Sequence, residues 1–144
     1  MAQWGSVVSW LIVLVGWVVV NRQHNNRETR KEVRASLLDL YGHLDEIEDD
    51  AFEYHTQDGD PLLGRQLKRD IDQIYMRIRL SLRGPMTCSY APQLAAFRQS
   101  VTLQNFDTAN FVAKDPSDSF FDEIFRSKRA LINRLETAYN NAYK

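Results

Sequence analysis

Between Trp4 and Val20 the chain carries no charged residue, and a basic segment follows at once: Arg22, Arg27, Arg30, Lys31 and Arg34. A helix over the apolar run is ~25 Å long at 1.5 Å per residue, close to the ~30 Å hydrocarbon core of a bilayer. Arg22 can snorkel, and Trp4 and Trp17 suit the interfacial zones, so the run predicts one membrane-spanning helix. A cleaved leader needs basic residues before the apolar run and a small-residue cleavage site after it. Residues 1–6 hold no basic side chain, and no A-x-A pattern follows Val20.

Basic residues beside a span stay in the cytoplasm. The charge asymmetry therefore predicts an inner-membrane, single-pass protein with its N-terminus outside and its C-terminal domain cytoplasmic. Arg22, Arg27, Arg30, Lys31 and Arg34 are then expected at the lipid headgroups, each worth ~1 kcal/mol near an anionic surface. Within the span Gly5, Ser9, Ile12 and Gly16 share one helical stripe. Small residues let a second helix approach closely, which is how spans associate in lipid.

The chain divides into an anchor at 1–21, a basic juxtamembrane helix at 22–34 and a helical bundle at 35–144. Val33, Leu37, Leu40, Leu44, Ile47, Ala51 and Tyr54 alternate spacings of four and three, a heptad seam without proline. The first five are the expected interaction seam, and anchor and seam form one long rod unless residues 21–26 break it. Gly42 lies inside this helix, where it costs about 1 kcal/mol against alanine and invites a close helix crossing. The helix should end near His55, at the turn chemistry of Gln57-Asp58-Gly59.

Asp60-Pro61 reads as an N-cap with proline at the first helical position. Leu63, Leu67, Ile71, Ile74, Ile78 and Leu82 form the next apolar stripe, and Gly84-Pro85 stops it. A short loop makes these two helices an antiparallel hairpin. The segment from Asp39 to Asp60, mostly the first helix, is acidic with no Lys or Arg, and the second helix carries Arg65, Lys68, Arg69, Arg77, Arg79 and Arg83 against Asp70 and Asp72. Exposed ion pairs contribute only about 0–1 kcal/mol each, so this match selects register more than it stabilises. A shorter helix starts at Ala91-Pro92, with Leu94, Phe97 and Val101 on one side. The stretch 105–114 reads as a loop latched by Phe106 and Phe111. Asp115-Pro116 or Ser117 then caps a last helix whose Phe121, Ile124, Phe125, Leu131, Ile132, Leu135, Ala138 and Tyr139 face inward. The predicted architecture is all-α, with about four helices in the bundle.

Reaction chemistry is sparsely signalled. His43, Glu46, Asp50 and Glu53 share a face, but a di-iron bundle needs Glu-x-x-His units and none occurs. A solvated acidic face accounts for these residues, and no metal or cofactor is expected. Cys88 lacks any nucleophile signature, and phosphate-loop, dinucleotide, zinc-protease and hydrolase-elbow motifs are missing. Nucleic acid is not favoured, because the acidic helix cancels the field of the basic one.

The leading expectation is a non-enzymatic single-pass membrane protein whose bundle self-associates or docks another membrane or cytoplasmic protein. Proteins of this build can act as bacterial adaptors or membrane effectors, including in phage defence, an inference from architecture alone. The alternative is a membrane-tethered enzyme or nucleic-acid-binding module using Arg77, Cys88 and the loop from Asn105 to Lys114.

Overall fold

The computed structural model describes residues 3–57, 59–82, 86, 88–102, 106 and 110–144; the side chains at 3–9, 11, 12, 19 and 23 lie outside the described set. Within it the chain is all-helical: α1 (Gln3–Thr56), α2 (Pro61–Ser81), α3 (Ala91–Thr102) and α4 (Ser119–Ala142).

α1 has 54 residues and is ~80 Å long. It runs through residues 21–26 without the break its polar sequence suggested. The heptad seam becomes its buried face: Val33, Leu37, Leu40, Leu44, Ile47, Ala51 and Tyr54 are each at most 4% exposed. Val33 belongs to this core, so the bundle reaches back past the expected boundary at residue 35.

α2 starts as its sequence predicts, with the Asp60 carboxylate accepting from the Leu62 amide at 2.8 Å and Pro61 in the first turn. It runs antiparallel to α1: Gly64 faces Tyr54, Arg77 reaches Asp39, and the Ser81 hydroxyl donates to the Ser36 carbonyl at 3.4 Å. Leu67, Ile71, Ile74 and Ile78 fill the space between them. The close helix approach falls at Gly64 and not at Gly42. A Cβ on Gly64 would lie 2.9 Å from Tyr54 Cε2, whereas Gly42 is exposed with no atom within 4 Å of that point. The proposed stop at Gly84-Pro85 lies outside the described residues.

α4 also runs antiparallel to α1, joined by Phe52–Phe121 rings at one end and Arg34–Glu136 at 2.6 Å at the other. α3 packs antiparallel on α4, with Ser100 and Ser127 hydroxyls 2.8 Å apart and the Arg134 guanidinium donating to the Ser89 carbonyl. The result is an up-down-up-down bundle around Phe97, Val101, Ile124, Leu131 and Leu135 from α3 and α4, with the seams of α1 and α2.

The start of α4 departs from the sequence reading. Its N-cap is Asp118, which accepts from the Phe120 amide at 2.9 Å. Asp115 builds the preceding turn instead, accepting from the Ser117 amide and hydroxyl while Asp118 N closes onto the Asp115 carbonyl. Proline at the second position of such a turn has its φ already set, which is why Asp115-Pro116 turns and does not cap. The core stripe is accordingly Phe120, Ile124, Lys128, Leu131, Leu135 and Ala138, and Phe125, expected inside, is 46% exposed.

The described side chains in the first part of α1 lack any such cover. Trp10, Val13, Leu14, Val15, Trp17, Val18 and Val20 are all more than half exposed. Among the described residues no helix is long and apolar enough to cross a membrane. The run proposed to span includes positions 4–9, 11, 12 and 19, whose side chains are outside the described set.

Candidate functional site

The residues singled out from sequence fall into separate places. Val33, Leu37, Leu40, Leu44 and Ile47 are closed off inside this chain's own core, at most 2% exposed. Their partners are α2 and α4, so this seam offers no surface to a second copy. Of the small-residue stripe, Gly5, Ser9 and Ile12 have side-chain positions outside the described residues, and Gly16 is open, with nothing within 4 Å.

The basic segment is divided by its pairing. Lys31 is 3.0 Å from Glu28, an exposed pair one helical turn apart that holds the Glu28 carboxyl below its usual range. Arg34 is neutralised by Glu136 and lies over the Tyr139 ring at 5.4 Å. Arg30 donates from Nε to the Tyr139 hydroxyl at 3.4 Å. Arg22 and Arg27 are exposed, without an acidic partner among the described residues. A cleft of about 500 Å³ opens beside Arg27 and Arg30, walled on its far side by Ala142, Tyr143 and Lys144 at the end of α4.

Arg77, Cys88 and the described part of the loop after α3 are not brought together. Arg77 bonds Asp39 at 3.5 Å and lines a groove of about 250 Å³ between α1 and α2, with His43, Glu46, Asp50 and Asp70. Cys88 lines a different groove of about 510 Å³ between α2 and α3, with Tyr75, Tyr90 and Leu94, bordered by the Asp72–Arg98 pair at 2.9 Å. Burial pushes its thiol pKa up, so less thiolate forms there, which argues against a nucleophile. Phe106 and Phe111 pack around Tyr54 at the other end of α1; Asn105 and residues 107–109 lie outside the described residues.

On the acidic face His43 sits between two carboxylates. His43 Nδ1 lies 2.8 Å from Glu46 and its Nε2 3.7 Å from Asp39. Asp50 is pushed above the usual carboxylate range, first by desolvation and then by Asp70, Glu53, Glu46 and Asp49. Among the described residues no group of three or more His, Cys, Asp or Glu side chains is placed to hold a metal ion.

The burial of two ionisable side chains, Lys128 and His55, escaped the sequence reading. Lys128 sits in the core stripe of α4, its ammonium bonded to Asp45 at 2.5 Å and to Glu48. Burial lowers its pKa, but the two carboxylates more than offset that and raise it overall. The signal was present, since Lys128 is four residues after Ile124 and three before Leu131. His55 is fully buried, its Nε2 3.0 Å from the Val101 carbonyl and its Nδ1 without a partner among the described residues. Its own carbonyl accepts from Lys114 N at 2.7 Å, and Tyr54, Phe106, Phe111 and Phe120 surround its ring. His55 thus ties α1 to α3 and to the segment leading into α4. Desolvation holds its pKa below the ordinary value.

No family model matches the chain, and neither a curated protein nor a solved structure matches it.

Proposed function

We propose that this chain is a single-pass membrane protein, N-terminus outside, whose cytoplasmic helical bundle serves as a non-enzymatic interaction module at a bacterial inner membrane. One observation carries the reading: the helical sequence from Trp10 to Val20 is apolar on every side, and its described large side chains, Trp10, Val13, Leu14, Val15, Trp17, Val18 and Val20, are exposed. A helix bordered by water on one side needs only one apolar stripe. Apolar side chains all round need an apolar surround, and a bilayer supplies it along with the basic flank that sets orientation.

The bundle's role follows from its build. Its buried polar side chains, His55, Ser81, Ser100 and Lys128, each bond to another helix, and its described grooves open to solvent, so binding other chains suits it better than enclosing a substrate. Self-association through the stripe of Gly16, or docking of another membrane protein there, is the corresponding mode of action, as an adaptor or membrane effector. A part in phage defence stays an analogy from this architecture.

Alkaline carbonate extraction of membranes carrying the full chain tests the anchor. Retention in the pellet is expected, and release into the supernatant overturns the reading. A reporter that fluoresces only in the cytoplasm, fused after Lys144, should be bright. Gly16→Leu should lower the oligomeric mass in detergent; a wild-type chain that is already monomeric overturns the self-association part.

A further inference from the structure

We propose that the cleft between α1 and the end of α4 binds a phosphate group, presented by an anionic phospholipid headgroup. The proposal rests on the membrane anchorage argued above and gives the basic segment one defined ligand site.

Charge distribution selects this place. Lys31 and Arg34, which follow the cleft residues along α1, are spent on Glu28 and Glu136. Arg27, Arg30 and Lys144 line the cleft without an acidic partner among the described residues, and no carboxylate side chain lines it. Arg30 uses Nε on the Tyr139 hydroxyl, which fixes its guanidinium plane and leaves both Nη groups to donate. A held guanidinium fork is the preferred donor to phosphate oxygens. The C-terminal end of α4 opposes an anion with roughly half a negative charge. The three positive side chains outweigh it even when a chain-end carboxylate at Lys144 is counted against them.

Position and shape select the source. Arg27 and Arg30 follow Val20 by seven and ten residues, a rise of ~10–15 Å beyond the apolar run. Helical side chains lean toward the helix N-terminus, so both guanidinium groups reach back toward the membrane surface. The opposite wall is Ala142, Tyr143 and Lys144, and the Tyr143 ring meets that of Tyr139 at 5.1 Å, tilted by 46°. An aromatic and a methyl beside a cationic fork suit a headgroup joined to a glycerol backbone, and the cleft's ~500 Å³ admits one such group.

The test uses the full chain in mixed micelles, with native mass spectrometry counting retained lipid. Phosphatidylglycerol should be retained in preference to phosphatidylcholine, and Arg27→Gln/Arg30→Gln should reduce that retention about tenfold, the scale expected for losing charge-assisted contacts. Arg65→Gln/Arg69→Gln, which removes the same charge from exposed positions on α2, should leave it unchanged. Inorganic phosphate titrated in the same micelles separates the two sources. If it binds with the same dependence on Arg27 and Arg30 while the lipid does not, the phosphate site stands and its source is free phosphate. Binding of neither probe, equal retention of both lipids with no phosphate binding, or indifference to the Arg27/Arg30 change overturns the site. Carbonate extraction of the same preparations separates the premises: a retained chain without phosphate binding refutes the cleft alone, and a released chain refutes the anchorage.

Discussion

Two glycines in helix interiors should respond to the same added methyl group with opposite signs. Gly42 in α1 is exposed, and a Cβ built there meets no atom within 4 Å. Gly42→Ala removes backbone freedom from the unfolded chain at no steric cost, and should stabilise by about 0.5–1 kcal/mol. Gly64 in α2 is buried, and its Cβ would lie 2.9 Å from Tyr54 Cε2. That ring cannot swing clear, because Tyr54 is 4% exposed and is held by the His55, Phe106 and Phe111 rings at 5.1, 5.0 and 5.4 Å. Overpacking a closed core costs about 1–3 kcal/mol, against a propensity gain of at most ~1. Gly64→Ala should therefore lose up to about 2 kcal/mol.

Urea unfolding of the full chain in detergent, followed by far-ultraviolet circular dichroism, measures both changes. The sites share no contact partner, so the double variant should be near the sum. A stabilised Gly64→Ala would refute the close crossing at Tyr54. A destabilised Gly42→Ala would be more informative. Nothing among the described residues approaches that position, so the obstruction would point to a second molecule, and the exposed face of α1 would be an interface.

Lowering the pH should weaken the bundle through His55. Its folded pKa is below the ordinary 6.5, so its stabilisation is intact above that value and is lost as pH falls from 6.5 toward the lowered one; His55→Asn should flatten that part of the stability–pH curve. Lys128→Met should cost about 1–2 kcal/mol in the same urea assay, less than the 3–5 typical of a fully enclosed pair. Asp45 is 62% exposed and can regain water, so a loss at the upper figure would mean that the carboxylates are sealed in. Gly59→Ala should destabilise by about 1–2 kcal/mol: Gly59 has φ 66°, and its Cβ would meet the Phe111 ring at 3.0 Å. A matching loss from Phe111→Ala that does not add to it would confirm the shared contact.

The helices themselves were legible because each rests on a local rule. The seam of α1 and the stripe of α2 carry their apolar residues at spacings that only a helix turns to one side, and Asp60-Pro61 signals a start through one carboxylate and one missing amide hydrogen. The start of α4 was not, because Asp115, Ser117 and Asp118 all carry the oxygen that a cap needs. Which of them caps depends on Pro116 closing a turn first, and local composition does not rank those options. Gly42 and Gly64 illustrate a further limit. Both interrupt helical sequence equally, and only the packing of Tyr54 across the hairpin reveals which one allows helices to meet.

The candidate sites depended still more on partners distant in sequence. The basic segment reads as uniform, yet Glu136 and Tyr139, about a hundred residues away, occupy Arg34 and orient Arg30 while Arg27 keeps its charge. The expected pairing of acidic α1 with basic α2 reduces, among the described residues, to Arg77–Asp39; the acidic helix gives two carboxylates to Lys128 on α4 instead. An exposed pair such as Arg77–Asp39 adds little. A lysine placed in an apolar stripe is different, since any register that leaves it buried without a carboxylate costs several kcal/mol. Lys128 therefore discriminates between alignments of α4 along α1 far more strongly than the blocks of surface charge do, and it is the side chain to read first when a helical sequence breaks its own apolar pattern.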